Sequence, residues 1–217
     1  MEHLMEMQLG DSMGVNSPME AAAQIQINQF EAEMQLGGDG INANCGPASL
    51  AMALRSFGSV SSSESMNGSL VDFARRIMIE DSSRDGVDSQ GIRVEWEHNA
   101  YTSLSEIANG AEKAGLQTRR ITPASFSIIR AVQSGARVIV SGTFRNKEPL
   151  PWTGDTERDY YRAPGGATEH FILVSGYDER SGKLIINDPA RHSPLAVYPH
   201  QLNTFMEGNE GALILYH

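Results

Sequence analysis

HFILVSGYDERSGKLIINDPA, residues 170–190, holds two apolar runs separated by the turn-forming sequence DERSG and closed by Asn-Asp-Pro. Short apolar runs joined by a polar, Gly-containing turn read as an antiparallel hairpin. With the turn centred near Glu179 and Arg180, position 170 falls opposite position 188 or 189. His170 at the start of one strand and Asp188 at the end of the next then become cross-strand neighbours on one face. A carboxylate beside an imidazole fixes its tautomer and favours its charged form. Asp188 also has a plainer reading, as a residue that caps a turn before Pro189.

Working back toward the N-terminus, INANCGPASLAMALRSFG at 41–58 contains the single cysteine of the chain. Leu50, Ala51, Leu54 and Phe57 recur at the spacing of one helical face, Pro47 suits a first turn and Gly58 a stop. Cys45 therefore stands at a helix start, where unpaired backbone N–H groups and the positive end of the helix dipole favour an anion. A thiol attacks only as thiolate, so this placement suits a nucleophile. The glycine after it leaves space where a substrate carbonyl would approach. A free cysteine is also among the most buried residue types, and at this point Cys45 reads either as a small core side chain or as a nucleophile.

A nucleophilic thiol needs a base, and the base an orienting partner. Of six histidines, His3 and His217 lie at the ends of the chain, and His98, His192 and His200 have no obvious placement. His170 differs in opening a strand just after a Gly-rich loop end. Between Arg145 and Glu169 the chain carries Trp152, Tyr160 and Tyr161 in a stretch rich in Pro and Gly. A loop this long inside a compact domain is more often functional or disordered than idle. These three aromatics are candidates for contacting a substrate or, equally, for packing the loop onto the domain.

The remaining organisation is helical first and β-rich last. Helices are expected over LVDFARRIMI, over SLSEIANGAEKAG with Ser103 as cap and Glu106 three residues on, and over PASFSIIRAVQSG starting at Pro123. Strands are expected over LQTRRI, RVIVSGTF, the two arms of the hairpin, and ALILY. The class is α+β. Residues 1–23 lack a hydrophobic period and read as a flexible leader, with one domain over 24–217.

At 217 residues and 40% hydrophobic side chains the chain can bury one sizeable core. Its formal charge of -10 argues against general binding of nucleic acid, whose phosphates call for clustered Lys and Arg. One cysteine excludes an internal disulfide and a cysteine-based zinc site. The N-terminal segment has no basic region followed by an apolar run and cleavage site, and no stretch approaches the roughly 20 apolar residues of a spanning helix. A soluble protein is expected, in the cytoplasm or secreted without a conventional signal peptide.

NCGPASLAMAL, followed over a hundred residues later by HFILVSGYDERSGKLIINDPA, resembles the papain-like cysteine peptidases of the bacteriocin-processing, double-glycine leader peptidase-like family. The resemblance extends from about residue 27 to residue 217, closely in those two blocks and loosely between. It implies a papain-like fold in which a helix carrying the nucleophile packs against an antiparallel sheet carrying base and acid. It further implies Cys45 as nucleophile, His170 as general base and acid, and Asp188 as orienter. Such families use a Gln upstream of the cysteine as an oxyanion donor, often about six residues before it and in some relatives beyond a longer insertion, yet here the near position is Asp39, which cannot donate when ionised. Gln29 in INQF is the best match, with Gln35 and Asn44 as alternatives.

The implied reaction is thiol-based hydrolysis of a peptide bond in a protein or peptide substrate, a chemistry that requires no metal and no organic cofactor. The same residues would serve amidase, deamidase or transpeptidase chemistry, because fold and triad do not choose the bond. A third reading is a binding module on a silent peptidase fold, in which Cys45 titrates as an ordinary thiol.

Overall fold

The computed structural model describes residues 17–31, 43–60, 66–80, 102–144, 168–209 and 211–217. In chain order these form α1 (Pro18–Ile25), a 3-10 turn (Gln29–Glu31), α2 (Cys45–Phe57), α3 (Asn67–Ile79) and α4 (Leu104–Lys113). After these come β1 (Gln117–Ile121), α5 (Ser125–Gln133), β2 (Arg137–Phe144), β3 (Thr168–Asp178), β4 (Lys183–Asn187), β5 (Leu195–Val197), α6 (Pro199–Met206) and β6 (Ala212–Tyr216). The six strands make one sheet in the order β1-β6-β2-β3-β4-β5, and every neighbouring pair is antiparallel. The class is α+β.

The central strands read as nearly continuous apolar runs because both faces of the sheet are covered. Ile139, Leu173, Leu213 and Leu215 join the core built with α2, α3 and α4. Their strand neighbours Val138, Val140, Ile172, Val174, Ala212 and Ile214 join a second core with α5 and α6. The two-residue period of a strand thus feeds two cores from one sequence. Helix α2 lies deepest, with every residue from Gly46 to Leu54 buried. It ends at Gly58, whose φ of 67° lies in the left-handed region that glycine adopts without strain, and whose N–H returns to the carbonyls of Leu54 and Arg55.

Local signals place the other helices. Ser103 and Glu106 form the expected reciprocal cap of α4, the Glu106 N–H donating to Ser103 Oγ at 3.2 Å and the Ser103 N–H to Glu106 Oε2 at 2.7 Å. Helix α5 begins at Ser125, two residues after Pro123. The end of the expected leader is helical instead: Ser17 and Glu20 cap α1, and Ala22 and Ile25 are buried. Strand β5 and helix α6 carried no strong periodic signal and take their form from packing beside β4 and against α5 and β2.

The hairpin of β3 and β4 differs in register from the sequence expectation. Its ladder starts at Asp178↔Lys183, leaving a four-residue turn closed by Gly182 N–H to the Asp178 carbonyl at 2.8 Å, and shifts at a bulge between Val174 and Gly176. The last pair is Leu173↔Asn187. Asp188 therefore stands beyond the ladder rather than opposite His170, and reaches it through its side chain.

Gly142 on β2 pairs with His170 on β3. A Cβ added at Gly142 would lie 2.0 Å from the Phe205 ring of α6. Gly142→Ala is expected to destabilise the fold by about 1–3 kcal/mol through overpacking, read by chemical denaturation, and a further Phe205→Leu change is expected to recover part of the loss.

Candidate active site

Cys45 is the first residue of α2, with Asn44 as N-cap, and its side chain is partly buried. Pro47 occupies the first turn without losing a helical hydrogen bond. The sulfur receives the backbone N–H groups of Phe171 and Gly46 and the side chain of His170. His170 lies on β3 and is 6% exposed, and its Nε2 is 2.7 Å from Asp188 Oδ1. With Nε2 turned to the carboxylate, the other ring nitrogen is left for Cys45. Thiol, imidazole and carboxylate thus form one hydrogen-bonded run.

Asp188 is fully buried and held from several sides. The Ala190 N–H donates to Oδ1 at 2.9 Å, and Arg191 Nε lies 3.8 Å from Oδ2. Its turn is fastened to the N-terminal segment: Gln26 Nε2 donates to the carbonyls of Asp188 at 2.9 Å and Arg191 at 2.8 Å. Asn187, also fully buried, donates from Nδ2 to Gln26 Oε1 and to the Ala22 carbonyl, each at 2.8 Å, and accepts from Ser175 Oγ at 2.6 Å. Ser175 sits at the β-bulge, so the bulge aims a side chain into this network.

Electrostatics reflect this packing. Burial disfavours the charged imidazole, but the charge and hydrogen bond of Asp188, with Cys45 behind them, outweigh it and raise the His170 pKa to about 10. Burial likewise works against the Cys45 thiolate. The hydrogen bond and positive charge of His170, then the Phe171 and Gly46 N–H groups, more than offset it and hold the thiol below its ordinary value.

Gly46 is needed for a different reason from the one expected. A Cβ there would lie 2.3 Å from Thr102 Oγ1, 3.4 Å from Ile107 Cδ1 and 3.5 Å from Phe171 Cδ2. The missing side chain makes room for the domain itself, at the point where α2 meets β3 and the start of α4.

The other predicted residues are distributed unevenly. Gln29 is buried in the 3-10 turn, and its N–H donates to the Pro189 carbonyl at 2.7 Å, which places it beside the Asp188 turn and against α2 and α3. Asn44 is fully buried, with its side-chain carbonyl on Arg75 of α3. Gln35, Trp152, Tyr160 and Tyr161 lie outside the described residues. Gln26, Asn187, Ser175, Arg191 and Arg75 escaped sequence reasoning. Only the polar-apolar alternation of QIQINQ at 24–29 hinted at a purposeful polar set. Among the described residues no cluster of His, Cys, Asp and Glu is arranged to hold a metal, and no helix is long and apolar enough to cross a membrane.

The family model described as "Peptidase_C39 like family" matches residues 24–208. The chain belongs to the Peptidase_C39-like family. As a member of it, the protein is a cysteine peptidase. Among solved structures it is similar to a C39-like peptidase from Bacillus anthracis, with a TM-score of 0.52 at 16% identity over 90% of this chain and 96% of that one. That likeness establishes the shared papain-like C39 fold. The peptidase domain of Streptococcus ComA, a bifunctional ABC transporter of a quorum-sensing pathway, gives a TM-score of 0.48 at 19% identity, covering 80% of this chain and 91% of that one. A double-glycine-motif protease from an AMS/PCAT transporter, in complex with the leader peptide, gives 0.43 at 16% identity, covering 79% and 83%. No curated protein sequence matches the chain.

The raised affinity of His170 for its proton depends on the Asp188 charge. Asp188→Asn keeps the shape and is expected to lower the His170 pKa from about 10 toward the ordinary imidazole value of about 6.5, measured by NMR titration of the ring.

Proposed function

We propose that this peptidase hydrolyses a peptide bond of a protein or peptide substrate with Cys45 as nucleophile, His170 as general base and acid, and Asp188 as the residue that orients and charges the imidazole. The observation that carries the reading is the hydrogen-bonded run from Cys45 through His170 to Asp188 at the start of a buried helix. The thiolate attacks the substrate carbonyl carbon, and the oxyanion is held by the Cys45 N–H and the Gln29 side-chain amide. Two observations support that pair. The first N–H groups of a helix have no intrahelical acceptor. Gln29 is 6% exposed, and its backbone is tied to the turn that carries Asp188.

Protonated His170 then gives its proton to the leaving amine as the C–N bond breaks and a thioester remains on Cys45. Neutral His170 takes a proton from water, the resulting hydroxide attacks the thioester, and Cys45 leaves as thiolate. Each step moves one proton through one imidazole, so the site needs His170 to hold a proton when the thiol does not.

That requirement sets the pH dependence. Below the lowered pKa of Cys45 the sulfur is protonated and attack stops; above the His170 pKa, near 10, the imidazole has no proton for the amine. The rate is therefore expected to be bell-shaped, with limbs that belong to the coupled pair. Asp188→Asn is expected to pull the alkaline limb down and to reduce kcat by about 10²–10⁴-fold.

The bond broken is tested by comparing protein fragments from a candidate bacterial proteome treated with the wild-type enzyme or with Cys45→Ala. New N-termini that arise only with the wild type are expected. Full activity in Cys45→Ala overturns the proposed nucleophile, and a small mass gain without new termini overturns peptide hydrolysis in favour of deamidation.

A further inference from the structure

Arg75 lies on α3 and is only 2% exposed. Its Nε and Nη2 both donate to Asn44 Oδ1, at 2.9 and 2.6 Å, and Nη2 donates to the Ala43 carbonyl at 2.8 Å. A guanidinium is costly to bury, and here it is spent on the two residues that precede Cys45.

Asn44 is the N-cap of α2, a position at which an Asn side chain normally accepts from the N–H of the second or third helical residue. Here it makes no such bond, although its backbone carbonyl accepts the first helical N–H, from Ala48, at 2.8 Å. The third helical residue is Pro47, which has no N–H. The second is Gly46, so a capping Asn44 would have one donor to take, and that donor serves the Cys45 sulfur.

We propose that Arg75 is a positioning residue of the peptidase site: by holding the Asn44 side-chain carbonyl against α3, it leaves the helix cap open and reserves the Gly46 N–H for Cys45. This rests on Cys45 being the nucleophile. Without Arg75 the Asn44 carbonyl swings to the cap, gains the Gly46 N–H and withdraws it from the sulfur. Among the described residues, the titratable and charged groups facing Cys45 are His170 of β3 with Asp188 and Arg191 behind it; Arg75 acts from α3 through Asn44.

The test is the pH dependence of Cys45 alkylation by iodoacetamide, unambiguous in a chain with one cysteine. In the wild type, alkylation is expected to persist below the ordinary thiol range. Arg75→Met is expected to move the acid limb upward, with alkylation on that limb falling about tenfold for each pH unit of displacement. Arg75→Met combined with Asn44→Ala removes the competing carbonyl and is expected to bring the limb back. No shift in Arg75→Met overturns the proposal, and so does a double variant that stays shifted, since a loss of charge alone is not rescued at Asn44. Should Arg75→Met fail to fold, Asn44→Ser decides: serine is a strong cap too short to reach Arg75, so the limb is expected to rise, and an unchanged limb overturns the proposal. A wild-type Cys45 that titrates as an ordinary thiol overturns the nucleophile itself, and with it this inference.

Discussion

Asp188, with no exposure to solvent, meets an imidazole 6% exposed at 2.7 Å, and much of the surrounding architecture serves to make that contact tolerable. A buried charge is costly unless paired and hydrogen-bonded, and removing one partner of such a pair costs about 3–5 kcal/mol. The partners come from distant parts of the chain. The Ala190 N–H is local, whereas Gln26, at the end of α1, holds the backbone of the Asp188 turn at two carbonyls. Asn187 ties the same turn to α1 and to Ser175 on the β3 bulge. Helix α1, only eight residues long, is thereby fastened to the Asp188 end of the site.

The sulfur lies where three elements converge. Strand β3 brings the His170 side chain and the Phe171 N–H; α2 brings the Gly46 N–H; α3 fixes the loop entering α2 through Arg75. Burial opposes the thiolate, so ionisation at Cys45 is a balance that these donors tip. Close packing sets their distances. Thr102, Ile107 and Phe171 crowd Gly46 so tightly that β3, α4 and the first turn of α2 share one fixed arrangement.

Much of the fold was legible because its signals are local. The helix period over 45–57, the Ser103 and Glu106 cap, and the strand over 137–144 are each visible in a short window of sequence, and each forms where expected. Elements whose shape comes from neighbours were not legible. Helix α1 looked like a leader and α6 lacks strong periodicity, because both are held by partners far along the chain, and β5 is a short strand that forms by pairing with β4. The hairpin was legible but its register was not. The turn is held by its own residues, Asp178 accepting from the Arg180 N–H and from Ser181 Oγ, whereas the bulge beside Ser175 shifts the register within the strand and is tied to Asn187.

The sequence by itself determined the types of the longer elements, the α+β class, and Cys45, His170 and Asp188 as the three side chains that the resemblance singled out. Only the tertiary structure decided how they meet: that Asp188 reaches His170 from beyond the ladder, that Gly46 yields its space to Thr102 rather than to a substrate, and that Asn44 faces Arg75. The physical reason is reach. Propensity and periodicity act over a few residues, whereas the energy of a buried charge depends on every donor that folding brings within about 3 Å of it, however far away in sequence.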